Sequence, residues 1–304
     1  PLWEQINPLI ETDLNCDDVN IRTASMMFLV EYARELAAAC GSRQNDAEDG
    51  NTETQQYKNL DLTKAFEWWI TALVQYVQLA TNDKCHATDK RNFCIKILLN
   101  FSKDESQNVR AAACRGLGVY ILFPSLQQDT KFASDMALTV IQQMSDQNLL
   151  VRVRSSWALG NLCDTMVILS DPSNVNPRNA NLNEFLINVL WAKIVKAGLS
   201  ASNDNDKVRP NGVRALGSII HVLPTNFIIR EESGLIKDVV MALIKNFESG
   251  SLKNFKVRIN ASLALATPTT RDKYGDVTTF IKILQAVITS LENIDNLAGT
   301  GFSE

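Results

Sequence analysis

Cysteine and histidine are the side chains best suited to metal binding and nucleophilic chemistry, and this 304-residue chain has six and two of them. They meet in sequence once, at Cys85-His86 with Cys94. That C-H-x7-C spacing matches no zinc motif and lacks a fourth ligand, so a helix cap and core thiols are expected there. The acidic pairs Asp17-Asp18 and Glu231-Glu232 fall at expected helix starts, where carboxylates oppose the macrodipole rather than shuttle protons. No G-x-S-x-G, P-loop, G-x-G-x-x-G or H-E-x-x-H occurs, so no nucleophile, base and oxyanion set can be assembled. The triplets at Asn100 and Asn260 match the glycosylation pattern, but lie on or beside expected helices in a chain without a secretory signal. The sequence therefore predicts no enzyme activity, no cofactor, no metal and no small-molecule substrate.

A second chemistry is more regular. Val or Ile followed by Arg recurs five times, with the arginines at Arg22, Arg110, Arg152, Arg209 and Arg258. Three residues after each Arg stands a small residue: Ser25, Ala113, Ser155, Gly212 and Ala261. Seven after it stands Leu29, Leu117, Leu159, Leu216 or Leu265, and three copies add Gly118, Gly160 or Gly217 at position eight. At about 100° per residue these positions share one helix face. The small residue lets a neighbouring helix approach, and the leucine fills the seam. Asp17, Asp104, Asp146 and Asp204 precede the phrase in polar clusters where helix caps belong. Each Arg is expected to bond the aspartate-bearing link of its own or the adjacent unit, giving a structural ladder.

The arginines are spaced by 88, 42, 57 and 49 residues. A period of about 40 to 47 is that of paired-helix repeats, so 88 reads as two units and the others as one unit plus loop. A second set of apolar-periodic segments lies near 61–81, 89–102, 131–144, 183–199, 233–247 and 277–293. The first two of these leave one helix too many for strict pairing. Pro210 suits only the first turn of its helix. Residues 41–59 carry no apolar pattern and read as a disordered insertion, and 170–181 as a long inter-helix loop. No strand alternation is evident. The expected fold is all-α, one continuous α-solenoid of stacked helix pairs over 1–304.

The phrases NVRAAACRGLGVYILFP, VRSSWALGNLCDT, DKVRPNGVRALGSIIHVL and NFKVRINASLALATPTTRDKYG resemble HEAT repeats over roughly 85–275. That resemblance implies an α-solenoid acting as a scaffold or adaptor without chemistry of its own. An animal member of the family carries a further repeat between the helix ending near His221 and NFKVR, which is absent here. This departure puts the stacking around 225–255 in question.

Positions two, five and nine after each Arg are expected to face away from the buried side, on the inner surface lined by second helices. They hold Ala112, Arg115 and Val119; Arg154, Trp157 and Asn161; and Asn211, Arg214 and Ser218. Trp157 and Asn161, four apart, share a face. This W-x-x-x-N resembles the pair with which armadillo importins read an extended peptide, Trp packing on it and Asn holding its backbone. The alternative is that Trp157 packs against a neighbouring unit. Arg115, Arg154, Arg214, Trp157 and Asn161 are thus the candidate partner-binding residues.

Charge guides the choice of partner. The chain totals −4, yet residues 103–260 carry 18 basic against 14 acidic side chains. A mildly basic middle favours an acidic extended peptide over a basic import signal, and four excess charges are too few for nucleic acid. Hydrophobic residues make up 45%, with only 13 Gly and 8 Pro, which excludes collagen-like and low-complexity classes. No apolar run approaches the roughly 18 residues of a membrane span. Starting at Pro1 without Met or a signal-peptide pattern, the chain is expected to be part of something longer, in the cytosol or nucleus. The leading expectation is a non-enzymatic scaffold binding proteins on its inner surface. A transport cargo adaptor and a nucleic-acid-binding helical array are the alternatives.

Overall fold

The structure, a computed structural model, describes scattered positions between 8 and 28, then 95–122, 126–170, 185–222, 233–248 and 255–298 apart from 97, 123–125, 128 and 269. Residues 41–59, 61–81, 171–181, Cys85, His86 and Cys94 lie outside the described residues. The main helices are α1 Gln107–Tyr120, α2 Thr130–Gln143, α3 Leu149–Ser170, α4 Trp191–Ala201, α5 Arg209–Val222, α6 Ser233–Glu248, α7 Phe255–Ala266 and α8 Val277–Ala298. A π turn, Leu186–Leu190, leads into α4, and a 3-10 turn, Arg271–Tyr274, precedes α8. No strand occurs among the described residues.

The aspartates start these helices. Asp129 caps α2 by accepting from the Phe132 amide at 3.0 Å. Asp104 and Asp146 accept from the amides of Ser106 and Asn148, at 2.7 and 2.8 Å, and so fold the links before α1 and α3. Pro210 is the second residue of α5, where its missing N–H costs nothing. Gly275, at φ 86, makes the turn from the 3-10 segment into α8, a conformation that a side chain would resist.

The chain divides into two compact units, Pro1–Ala158 and Leu159–Glu304, and the division falls within α3. In the first, α1 packs on α2, and Gly118 lies so close to α3 that a Cβ there would sit 2.8 Å from Ala158. Leu117, Tyr120, Met136, Val140 and Val151 are fully buried in this unit. In the second, α4 pairs with α5 and α6 with α7. The pairs then stack in two layers, α4 on α6 on α8, and α5 on α7. The fold class is all-α, a helical repeat of the α-solenoid type. Direct packing of α5 on α7, with Asn260 Nδ2 donating to the Pro210 carbonyl at 3.0 Å, answers the question raised by the absent family repeat. The two helices stack with none between them.

One spacing needs correction. Arg22 bonds Asp104 (Nε to Oδ2, 3.4 Å) and Glu105 (Nη2 to Oε1, 3.1 Å). Arg110 reaches the equivalent residue of the next link, Asp146, at 2.7 Å. The first and second copies are therefore neighbours in the ladder, which an intervening unit between them would not allow.

Candidate functional site

The arginines at the start of each second helix turn back onto their own links. Arg22 Nη1 donates to the carbonyls of Cys16 and Asp17, at 2.9 and 3.1 Å. Arg110 Nη1 donates to Asp104 and Glu105 at 2.9 Å each, and Arg152 Nη1 to Asp146 and Gln147 at 3.0 and 3.1 Å. Arg209 Nη2 donates to the Asp204 carbonyl at 3.1 Å. The carbonyls five and six residues back thus recur as acceptors, and a planar guanidinium can serve them while its other nitrogens reach forward. Arg22 and Arg110 do reach forward, to Asp104 and Asp146. Burial pushes the Asp146 carboxyl up, but the bonds from Arg110 and the Asn148 amide, with the Arg110 and Arg152 charges, outweigh it and hold it below the ordinary value. Arg258 is half-buried near the start of α7.

The stripe expected to face outward does so only in part, with Arg154, Asn211, Arg214 and Ser218 half-buried. Ala112, Arg115 and Val119 are buried, as are Trp157 and Asn161, each 6% exposed. The physical reason is lateral stacking: a second helix touches its own first helix and the second helices of the units before and after. Three sides are covered, whereas a one-face reading allows for one. Position five is a stacking position. In the first unit the Arg115 guanidinium lies 4.4 Å from the Trp157 ring centroid, a cation–π contact between successive second helices. Trp157 also closes over Gly118. Arg154 is half-buried on α3.

In the second unit the same register builds a polar cluster. Arg214 Nη2 donates to Asn161 Oδ1 at 2.8 Å, and its Nε lies 3.7 Å from Asp164 Oδ2. Ser218 Oγ donates to Asp164 Oδ1 at 2.6 Å. The Arg214 and Asp164 side chains are 32% and 40% exposed, so a fixed cation and a fixed anion reach solvent side by side across two second helices. Asp164 had not been singled out in the sequence. It stands three residues after Asn161, so extending the stripe by one further turn would have found it.

The two buried thiols, Cys114 and Cys163, are poor nucleophiles. Burial pushes Cys114 up to about 11, against a lowering hydrogen bond with Ser155, and burial raises Cys163 further still. No group of three His, Cys, Asp or Glu able to hold a metal occurs among the described residues, and no described helix is long and apolar enough to cross a membrane.

No family model matches the chain. Over 124 residues, 41% of the chain, it is 36% identical to a stretch of an uncharacterised protein of Dictyostelium discoideum, spanning 8% of that protein's length. Among solved structures it is similar to an engineered protein, with TM-score 0.46 and 16% identity over 86% of this chain and 96% of that one. It is also similar to a computationally designed armadillo repeat protein for modular peptide recognition, with TM-score 0.37 and 12% identity over 92% and 98% of the two chains. A third similarity is to a chain from a structure of Kap95p bound to RanGDP, with TM-score 0.35 and 16% identity over 99% of this chain and 40% of that one. The class rests on the molecule's own stacked helix pairs.

Proposed function

We propose that the chain is a non-enzymatic helical-repeat scaffold that binds a partner protein on the surface of its second helices, with Arg214 as the contact in the second unit. The supporting observation is the half-exposed cluster of Arg214, Asn161, Asp164 and Ser218. Its side chains are held by one another, so little rotamer entropy remains to be lost when a partner arrives. Asn161 and Asp164 hold Arg214 in place, and its half-exposed side chain brings a fixed positive charge to the surface, where a carboxylate is attracted to it. An acidic extended segment fits this cation and the mildly basic middle of the chain. Arg154, half-buried in the first unit, is a second candidate contact. Trp157 and Arg115 support the scaffold from inside, and an adaptor reading built on an exposed W-x-x-x-N loses its motivating observation.

Affinity purification of partners with the wild-type chain and with Arg214→Glu tests this. Partner recovery should fall at least tenfold in the variant and should fall for the wild type as salt rises, because the contact is solvent-exposed. A folded Arg214→Glu protein that retains every partner would overturn the assignment.

A further inference from the structure

We infer that Gly160 is a positioning residue: it leaves open the seat on α3 in which the Arg214 guanidinium lies, and so fixes the cation that the second helices present to a partner. This role rests on the reading of Arg214 as a partner contact.

Glycine inside a helix is costly, because it gives up more backbone freedom on folding than alanine does. Each such glycine therefore calls for a local reason. The repeat phrase places one at position eight after the Arg three times, at Gly118, Gly160 and Gly217, and all three are buried. At two of them the reason is another helix. A Cβ on Gly118 would lie 2.8 Å from the Cα and Cβ of Ala158 and from the Trp157 ring, and one on Gly217 would lie 2.7 Å from the Ala264 Cβ. At Gly160 the three nearest atoms all belong to the Arg214 guanidinium, with Nε at 2.7 Å, Cζ at 2.9 Å and Nη2 nearer still. No main-chain atom is among these three.

The Nε–Nη2 edge of the guanidinium thus presses on the bare backbone of α3, and the same edge meets the side chains that follow the glycine. Nη2 donates to Asn161 Oδ1 at 2.8 Å, while Nε lies 3.7 Å from Asp164 Oδ2 and is shielded from solvent. Gly160, Asn161 and Asp164 fall within about 100° of one another around the helix, so a single face supplies the floor and both walls of the seat. A methyl group at position 160 would take the place of the guanidinium edge. The arginine, a flexible side chain, would swing out and lose both contacts, and the helices need not move. A cation freed in this way still attracts a carboxylate, but its rotamers must be frozen again when a partner binds. Gly160→Ala therefore separates the presence of the charge from its placement, which Arg214→Glu cannot do.

The test compares the wild-type chain with Gly160→Ala, Gly118→Ala and Arg214→Glu. Gly160→Ala should melt at or above the wild-type temperature, because alanine favours the helix and only a side-chain tip is displaced. Gly118→Ala should melt lower, because the Ala158 main chain stands in its way. In nitrogen-15 spectra the Arg214 Nε–H, identified by its loss in Arg214→Glu, should be visible near neutral pH in the wild type and lost to solvent exchange in Gly160→Ala. The binding probe is a purified protein that the wild-type chain retains from cell extract and Arg214→Glu does not. Its Kd should rise about two- to tenfold in Gly160→Ala, the cost of ordering one long side chain, and its salt dependence should persist because the charge remains. An unchanged Nε–H signal or an unchanged Kd would overturn the role of Gly160 and leave Arg214 as the contact. A melting loss as large as that of Gly118→Ala would also overturn it, by making position eight a packing position throughout. If no protein distinguishes the wild type from Arg214→Glu, the function proposed above fails first, and the role of Gly160 falls with it.

Discussion

Trp157 shows how one side chain changes meaning with its neighbours. At 6% exposure, lying under Arg115 and over Gly118, it is a packing residue. Trp157→Ala should cost about 3–5 kcal/mol in denaturant titration. The sequence shows that position five repeats, but not that a second neighbour covers it, since helical periodicity gives an angle and not the number of partners around the axis. The arginine ladder was more legible, because one residue type at one position, five residues after an aspartate-bearing link, leaves few acceptors in reach. Its acid end gives a pH prediction. Asp146 has its folded value held below the ordinary 3.8. Its contribution to stability is therefore complete above that ordinary value and is lost as pH falls through it toward the lower folded one. Stability measured between about pH 5 and pH 2 should fall less steeply in Asp146→Asn than in the wild type. The thiols make a third test at this scale: Cys114 and Cys163 should resist a thiol reagent near pH 8 in the native protein and react only on unfolding.

At the scale of elements, close approach is the governing quantity. Gly212 sits against the backbone of Ala201 and Ser202, where a Cβ would lie 2.5–2.6 Å from main-chain atoms. Main chain cannot swing aside as a side-chain tip does, so Gly212→Ala should force α4 and α5 apart and cost about 1–3 kcal/mol by thermal or chemical denaturation. Ala261, fully buried at the matching position of α7, should respond in the same way to Leu. The starts of α1, α3 and α5 were readable because aspartate-bearing links or Pro210 mark them, and the small-residue positions because they recur. The π turn at Leu186–Leu190 was not readable, since its extra residue shifts the register without changing the apolar character of the run. The segments expected at 131–144, 233–247 and 277–293 match α2, α6 and α8 to within a few residues, but the exposed apolar stripe of α8 could not be told from its covered one. Both are aliphatic, and only a count of neighbours separates them.

For the whole molecule, the informative contact is the one that spans most sequence, Arg22 with Asp104. It joins the first copy of the phrase to the second across a sequence separation of 82. A double-mutant cycle of Arg22→Met and Asp104→Asn should show a coupling of about 0.5–3 kcal/mol, as expected for residues sharing one bonded pair. Additive effects would return the 88-residue interval to two units. The ladder also has a direction, since a guanidinium grips its own link with one nitrogen and the following link with others. That polarity gives the repeats a reading frame. Asp104 and Asp146 occupy corresponding places 42 residues apart, so excising residues 104–145 would put Asp146 where Arg22 now finds Asp104. A cut of that phase hands Arg22 an aspartate again, and a cut of another length leaves it facing the wrong letter. Whole units, rather than segments of convenient size, are thus the grain in which this chain can be shortened or recombined.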